Sequence, residues 1–174
     1  SSIGHMGYLL MGVASGTVEG LQSVLLYLCI YFVMTVNIFA IILSLRDEQT
    51  GHNVKYIEDM SMLSKSHPLL AFSLSLTLFS MAGIPPLAGF CSKFYLFFAA
   101  LSSSLYFLAV FGILSSMLSC FYYLRVIKTM YFDQSKQPFQ NVTMDHEKSW
   151  VITLTTFFVL FFFLYPNVVF LWTQ

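Results

Sequence analysis

Apolar residues come in long runs along this chain, separated by short polar stretches, with no sustained alternation of apolar and polar positions. Five runs can be read, over 1–14, 21–45, 68–100, 105–126 and 150–172. A run of about 20 apolar residues, at about 1.5 Å of rise each, crosses a hydrocarbon core as a helix. The third run is the longest and is interrupted at Gly83–Gly89. Between the runs lie a tight SGTVEG turn, a polar loop over 46–67, a Ser-rich turn at 102–104 and a second polar loop over 127–149. The pattern predicts an all-α, polytopic bundle: one membrane unit over 1–174, about five crossings, the third broken at Gly83–Pro86. Within the first loop, NVKYIEDMSMLSK is amphipathic enough to form a short surface helix.

The placement of positive charge tests this map. If all five runs cross, the SGTVEG turn, the serine turn and the C-terminal tail share one face, and none of them holds Lys or Arg. The other face receives Arg46, Lys55, Lys65, Arg125, Lys128, Lys136 and Lys148, seven of the eight basic residues. Short loops rich in Lys and Arg stay on the cytoplasmic or matrix side, so both polar loops are expected there. That side also argues against the N-V-T match at Asn141 as a glycosylation site. The first run is short: 14 residues span about 21 Å of helix, against about 30 Å of bilayer core. It is expected to be part of a crossing helix that begins outside this sequence.

Composition agrees with the pattern. The 174 residues are 57% hydrophobic, 18% aromatic and 9% charged, with mean hydropathy +0.76. Soluble domains carry about 25% charged residues, so the surplus apolar surface calls for lipid as solvent. The net charge is zero, which gives no footing for nucleic acid as a partner. Cys29, Cys91 and Cys120 all lie within apolar runs without metal-ligand spacing, and are expected to be packing residues.

The chemistry concentrates in the broken run. From Ser66 to Leu124 the one formally charged residue is Lys93. A lysine at a helix centre costs about 2.5–3.5 kcal/mol to insert and usually faces a bundle interior or hydrated cavity on an ion path. The competing reading is a lysine near a helix end, with its stem in lipid and its ammonium among headgroups. Position argues against it, because FYLFFAAL still follows before the serine turn. Pro85 and Pro86 cannot donate backbone hydrogen bonds, while Gly83 and Gly89 permit a connecting loop. Two half-helices around an unwound stretch are therefore expected. Such exposed backbone survives at membrane depth only inside protein or beside water, and recurs in ion-coupled transporters. A lysine poised between charged and neutral states can take up and release a proton when a partner charge moves. The apolar runs hold no Asp or Glu near it, so a switching counter-charge is expected from elsewhere.

His5, in an apolar helix beside Ser1, Ser2 and Tyr8, is the second proton-pathway candidate. Histidine titrates in the physiological range, but a lone intramembrane histidine also serves as a hydrogen-bonded packing residue, and the residues alone leave both open. Polar stripes at helical spacing (Tyr27, Tyr31, Thr35; Ser73, Thr77, Ser80; Ser115, Ser119, Tyr122) orient the helices. Stripes of this kind more often join helices than conduct protons.

SSIGHMGYLL and GIPPLAGFCSKFYLF resemble the SSIxHxGY and G-(I/L)-PP-L-x-GF-x-x-K motifs of the antiporter-like subunits of respiratory complex I. The wording FCSKFYLFFAAL and CFYYLRVIK leans toward the plant and algal mitochondrial form. The resemblance implies the last five helices of a fold of roughly fourteen. It gives Lys93 the place of the broken-helix lysine serving the proton route toward the intermembrane space, and gives His5 a place on the central polar axis. It further implies a mitochondrial inner membrane protein whose loops 46–67 and 127–149 face the matrix. No cofactor is expected in this chain; NADH, FMN, iron–sulfur clusters and ubiquinone would be bound by other subunits. The expected partners are membrane lipids, neighbouring antiporter-like subunits and a chain or segment supplying the front half, whose glutamate–lysine pair has no counterpart here. Two other readings stand beside this one: a non-conducting structural membrane-arm subunit, and a related cation/proton antiporter or hydrogenase membrane subunit.

Overall fold

A computed structural model describes residues 1–45, 57–61, 63–133 and 146–162. The helices are α1 (Ser2–Ala14), α2 (Val18–Ser44), α3 (Leu63–Ser66), α4 (Pro68–Ala82), α5 (Ala88–Ser102), α6 (Tyr106–Phe132) and α7 (His146–Phe161), with a 3-10 turn at Ile57–Met60. No strand occurs among the described residues. Arg46, Lys55, Lys136, Asn141 and the end of the fifth predicted run lie outside them.

Local chemistry explains where the helices begin and stop. α2 starts at Val18, three residues before the apolar run predicts, because Thr17 caps it: the Gly20 N–H donates to Thr17 Oγ1 at 3.1 Å, and Glu19 sits in the first turn. α6 runs on past Val126 to Phe132, carrying Arg125 and Lys128 on exposed positions. Long charged side chains are good helix formers whose heads reach water. α7 is described from His146, four residues ahead of the predicted run, with Glu147 in its first turn. The predicted surface helix is, in its described part, the 3-10 turn and the single turn of α3.

α2 is the central rod, packed by α1, α4, α5 and α7. Its Leu26, Ile30, Met34 and Ile41 are fully buried and meet Leu70, Leu74 and Leu78 of α4 and Val159 of α7 in the main core. A second cluster joins Tyr8 and Met11 of α1, Val24 and Tyr27 of α2, Leu96 and Ala100 of α5, and Ala109 of α6. α6 is peripheral: 17% of its most apolar stretch is buried, against 33% for α2. Its Phe107, Phe111, Leu114, Leu118 and Phe121 point outward, which is the surface a lipid solvent accepts and water does not.

Each of α2 and α6 has 27 residues, about 40 Å of helix and enough to cross a membrane alone. α4 and α5 have 15 residues each and are the two halves of the broken third run. The predicted break falls between them. A buried amide braces three helices: Asn37 Nδ2 of α2 donates to Thr156 Oγ1 of α7 at 3.1 Å and more weakly to Ser73 Oγ of α4 at 3.4 Å, while Ser73 and Thr156 also bond to each other.

Candidate functional site

The break builds the site from the backbone upward. Gly83 ends α4 in the left-handed region, at φ 89°, ψ 38°. Its N–H donates to the Phe79 and Ser80 carbonyls, and the Ile84 N–H reaches back to Phe79 at 3.1 Å, a Schellman closure that satisfies both acceptors. Two carbonyls of the last turn remain, those of Met81 and Ala82. In an unbroken helix they would accept from the N–H groups of residues 85 and 86, and Pro85 and Pro86 have none. The sequence thus removes the donors for these two oxygens.

Lys93 supplies the missing donors. Its Nζ donates to the Met81 carbonyl at 2.8 Å and lies 3.4 Å from that of Ala82. It also stands 5.1 Å from the centre of the Tyr8 ring, within the range of a cation–π contact. The side chain can reach back because α5 opens hard against the end of α4. The Gly89 N–H donates to Ser80 Oγ at 2.9 Å, and a Cβ on Gly89 would fall 1.9 Å from the Ser80 carbonyl oxygen. Lys93 is 5% exposed. Its ammonium is held by backbone dipoles at the negative end of a half-helix and by an aromatic face. Among the described residues it has no carboxylate partner.

His5 lies in the same interior, 3% exposed. Its two ring nitrogens are both engaged by phenols from different helices: Nδ1 is 2.5 Å from Tyr27 Oη of α2 and Nε2 is 3.0 Å from Tyr123 Oη of α6. Tyr31 stacks on the imidazole at 4.6 Å between centroids. Tyr8 touches both candidates: its face carries the Lys93 ammonium and it meets His5 edge-on at 6.0 Å. The Tyr8 hydroxyl is buried beside Ser115 and Ser119 without a hydrogen bond of good geometry. Lys93 and His5, 88 positions apart in sequence, therefore border one polar interior lined by Tyr8, Tyr27, Tyr31 and Tyr123.

The polar stripes divide. Tyr27, Ser73 and Ser80 join neighbouring helices or half-helices, whereas Thr35 and Ser119 bond to carbonyls of their own helix. Sequence reasoning missed Tyr123, Asn37 and the two carbonyls. The stripe of Ser115, Ser119 and Tyr122 points to Tyr122, yet Tyr122 is 38% exposed and its neighbour Tyr123 is the buried one, at 5%. The carbonyls did have a signal, in the four-residue offset from the paired prolines.

Residues 1–119 match the family model described as NADH:quinone oxidoreductase/Mrp antiporter, TM. The chain belongs to that family. Its expected resemblance to the antiporter-like subunits is borne out by the individual relatives. It is 56% identical to NADH-ubiquinone oxidoreductase chain 2 of Marchantia polymorpha over 100% of its own length and 35% of the relative's. Against the Arabidopsis thaliana protein of the same name it is 51% identical, over 98% of this chain and 33% of the relative. NADH-quinone oxidoreductase subunit N of Rhodospirillum rubrum is 50% identical over 97% of this chain and 34% of that protein. Among solved structures, respiratory complex I from Thermus thermophilus with bound aureothin matches with a TM-score of 0.80 at 25% identity, over 95% of this chain and 36% of the matched one. The expected fold class is borne out with it: an all-α antiporter-like membrane bundle. The chain spans about a third of the length of the curated relatives it matches. No cluster of His, Cys, Asp and Glu suited to a metal ion occurs among the described residues of this family member.

Proposed function

We propose that this chain works as a proton-translocating part of the membrane arm of NADH:ubiquinone oxidoreductase, with Lys93 as the proton-exchanging group and His5 further along the same path. The observation that carries the reading is an ammonium buried at a helix break and seated on backbone carbonyls, with no carboxylate partner among the described residues. A lysine locked in an ion pair would be held in its charged form. One held by dipoles and an aromatic face is free to respond to charge moving elsewhere in the assembly. Its neighbours support a path, since Tyr8 bridges toward His5, whose two nitrogens meet two more hydroxyls.

In this reading the protein lies in the mitochondrial inner membrane with loops 46–67 and 127–149 on the matrix side, as their basic residues favour. Other subunits carry NADH oxidation, flavin, iron–sulfur and quinone chemistry. The partners are neighbouring membrane-arm subunits and the chain or segment that contributes the remainder of an antiporter-like fold. The relatives' names support this assignment over a free-standing antiporter.

The test is Lys93→Met in the assembled complex. Loss of a positioned proton-transfer group typically costs about 10²-fold or more, so proton transfer through this chain should fall by about that factor while assembly persists. An assembled variant that pumps as many protons per NADH as the wild type contradicts the proposal and leaves the chain a structural brace.

A further inference from the structure

The end of α4 has the makings of a binding site in its own right. Two carbonyl oxygens, Met81 and Ala82, are stripped of their helical donors by Pro85 and Pro86 and converge on one point, where Lys93 Nζ sits at 2.8 and 3.4 Å. The same point lies at the negative end of the half-helix dipole and 5.1 Å from the Tyr8 ring centre. Gly83 leaves the approach open: a Cβ there would stand 3.3 Å from Lys93 Cδ and 3.6 Å from Nζ. All of these features favour a cation, and none depends on the lysine's being covalently attached.

We propose that the Met81 and Ala82 carbonyls with the Tyr8 face form a seat for a small primary ammonium ion, of which Lys93 is the tethered occupant. The ligand class follows from the geometry. Two oxygens and a π-face accept the three N–H bonds of a primary ammonium, whereas a quaternary ammonium has no N–H to give. The stem of Lys93 passes Gly83 on its way to the carbonyls, so a short alkyl chain is accommodated behind the charge. Truncating Lys93 to alanine removes three methylenes and the ammonium, the size and shape of n-propylammonium. This inference rests on the proposed role of Lys93 only for its readout.

The experiment uses the whole complex carrying Lys93→Ala, reconstituted in vesicles, with NADH-driven membrane potential as the signal. A potential is chosen because amines that cross as neutral bases dissipate a pH gradient. Propylammonium chloride is titrated against choline and tetramethylammonium chlorides at equal ionic strength. The expected result is a recovery of about tenfold over the choline control, saturable in propylammonium, weaker with ammonium, absent with tetramethylammonium, and absent in Lys93→Met, whose side chain fills the stem's channel. A defect that no amine mends, or equal recovery in Lys93→Met, overturns the seat while leaving the proposed function standing. A wild-type potential in Lys93→Ala without added amine contradicts the proposed function itself. Should Lys93→Ala fail to assemble, growth with propylammonium replaces the vesicle assay. Assembly restored by propylammonium and not by choline supports the seat, and absence of the complex under both conditions overturns it.

Discussion

Lys93 and the two prolines ahead of it are one device at the residue scale. Pro85 and Pro86 empty two carbonyls of their donors, and a lysine seven residues past Pro86 fills them. A lone charge in a long apolar run was legible in the sequence. The sequence leaves a switching counter-charge to come from elsewhere, and the atoms that hold the ammonium within this chain belong to the backbone, which leaves no letter in the string. His5 was legible as an oddity and its partnership with Tyr27 only as a stripe, because helix–helix register decides which phenol meets which nitrogen. Gly83 gives a prediction at this scale. Alanine there adopts left-handed backbone at a cost of about 1–2 kcal/mol and presses on the Lys93 stem at 3.3 Å from Cδ. Gly83→Ala should assemble, yet lower proton pumping per NADH by about threefold to tenfold, since small displacements of a transferring group are costly. Unchanged pumping in the assembled variant would mean that the stem is not confined there.

At the scale of the element, the broken run reads as two half-helices because four signals agree: Gly83, two prolines and Gly89. Why the halves press together is a matter of packing, and it appears in the structure alone. Gly89 touches the Ser80 carbonyl so closely that any side chain would need backbone to move. Gly89→Ala should therefore abolish accumulation of the assembled complex on native gels. Gly4→Ala is the matched control, its added methyl meeting nothing within 4 Å, and it should accumulate normally. Asn37 offers a third contrast. Its amide ties α2 to α7 and, more weakly, to α4, and hydrogen bonds of this kind are worth about 1 kcal/mol each net. Asn37→Ala should lower the midpoint of thermal dissociation of the complex and leave proton stoichiometry unaltered. Altered stoichiometry at an unchanged midpoint would make Asn37 part of the path and not a brace. Element ends were less legible than element identity: capping by Thr17 and continuation of α6 through Arg125 and Lys128 depend on single polar residues at the edge of an apolar run.

The whole molecule is a membrane bundle with a polar seam inside and phenylalanines outside; the apolar surplus was readable from composition, the seam from Lys93 and the polar stripes. Seven basic residues predict the sidedness. With Ser103→Cys at the turn between α5 and α6 and Asp133→Cys at the end of α6, an impermeant thiol reagent should label position 133 from the matrix side alone and position 103 from the opposite side alone. Labelling in the reverse sense would invert the topology. What the sequence did not convey at this scale is that α1, α2, α5 and α6 converge around Tyr8, which brings Lys93 and His5 to a common interior. The proposed proton path requires that interior to be wet, because a proton crosses between Lys93 and the His5 cluster only along polar groups and water. A map of the intact assembled complex at a resolution that shows ordered water tests this most directly. Water should reach Lys93 Nζ and continue past the Tyr8 hydroxyl toward His5. An ammonium nitrogen found among acyl chains, or walled into a dry pocket with no solvent beyond its two carbonyls, would contradict it.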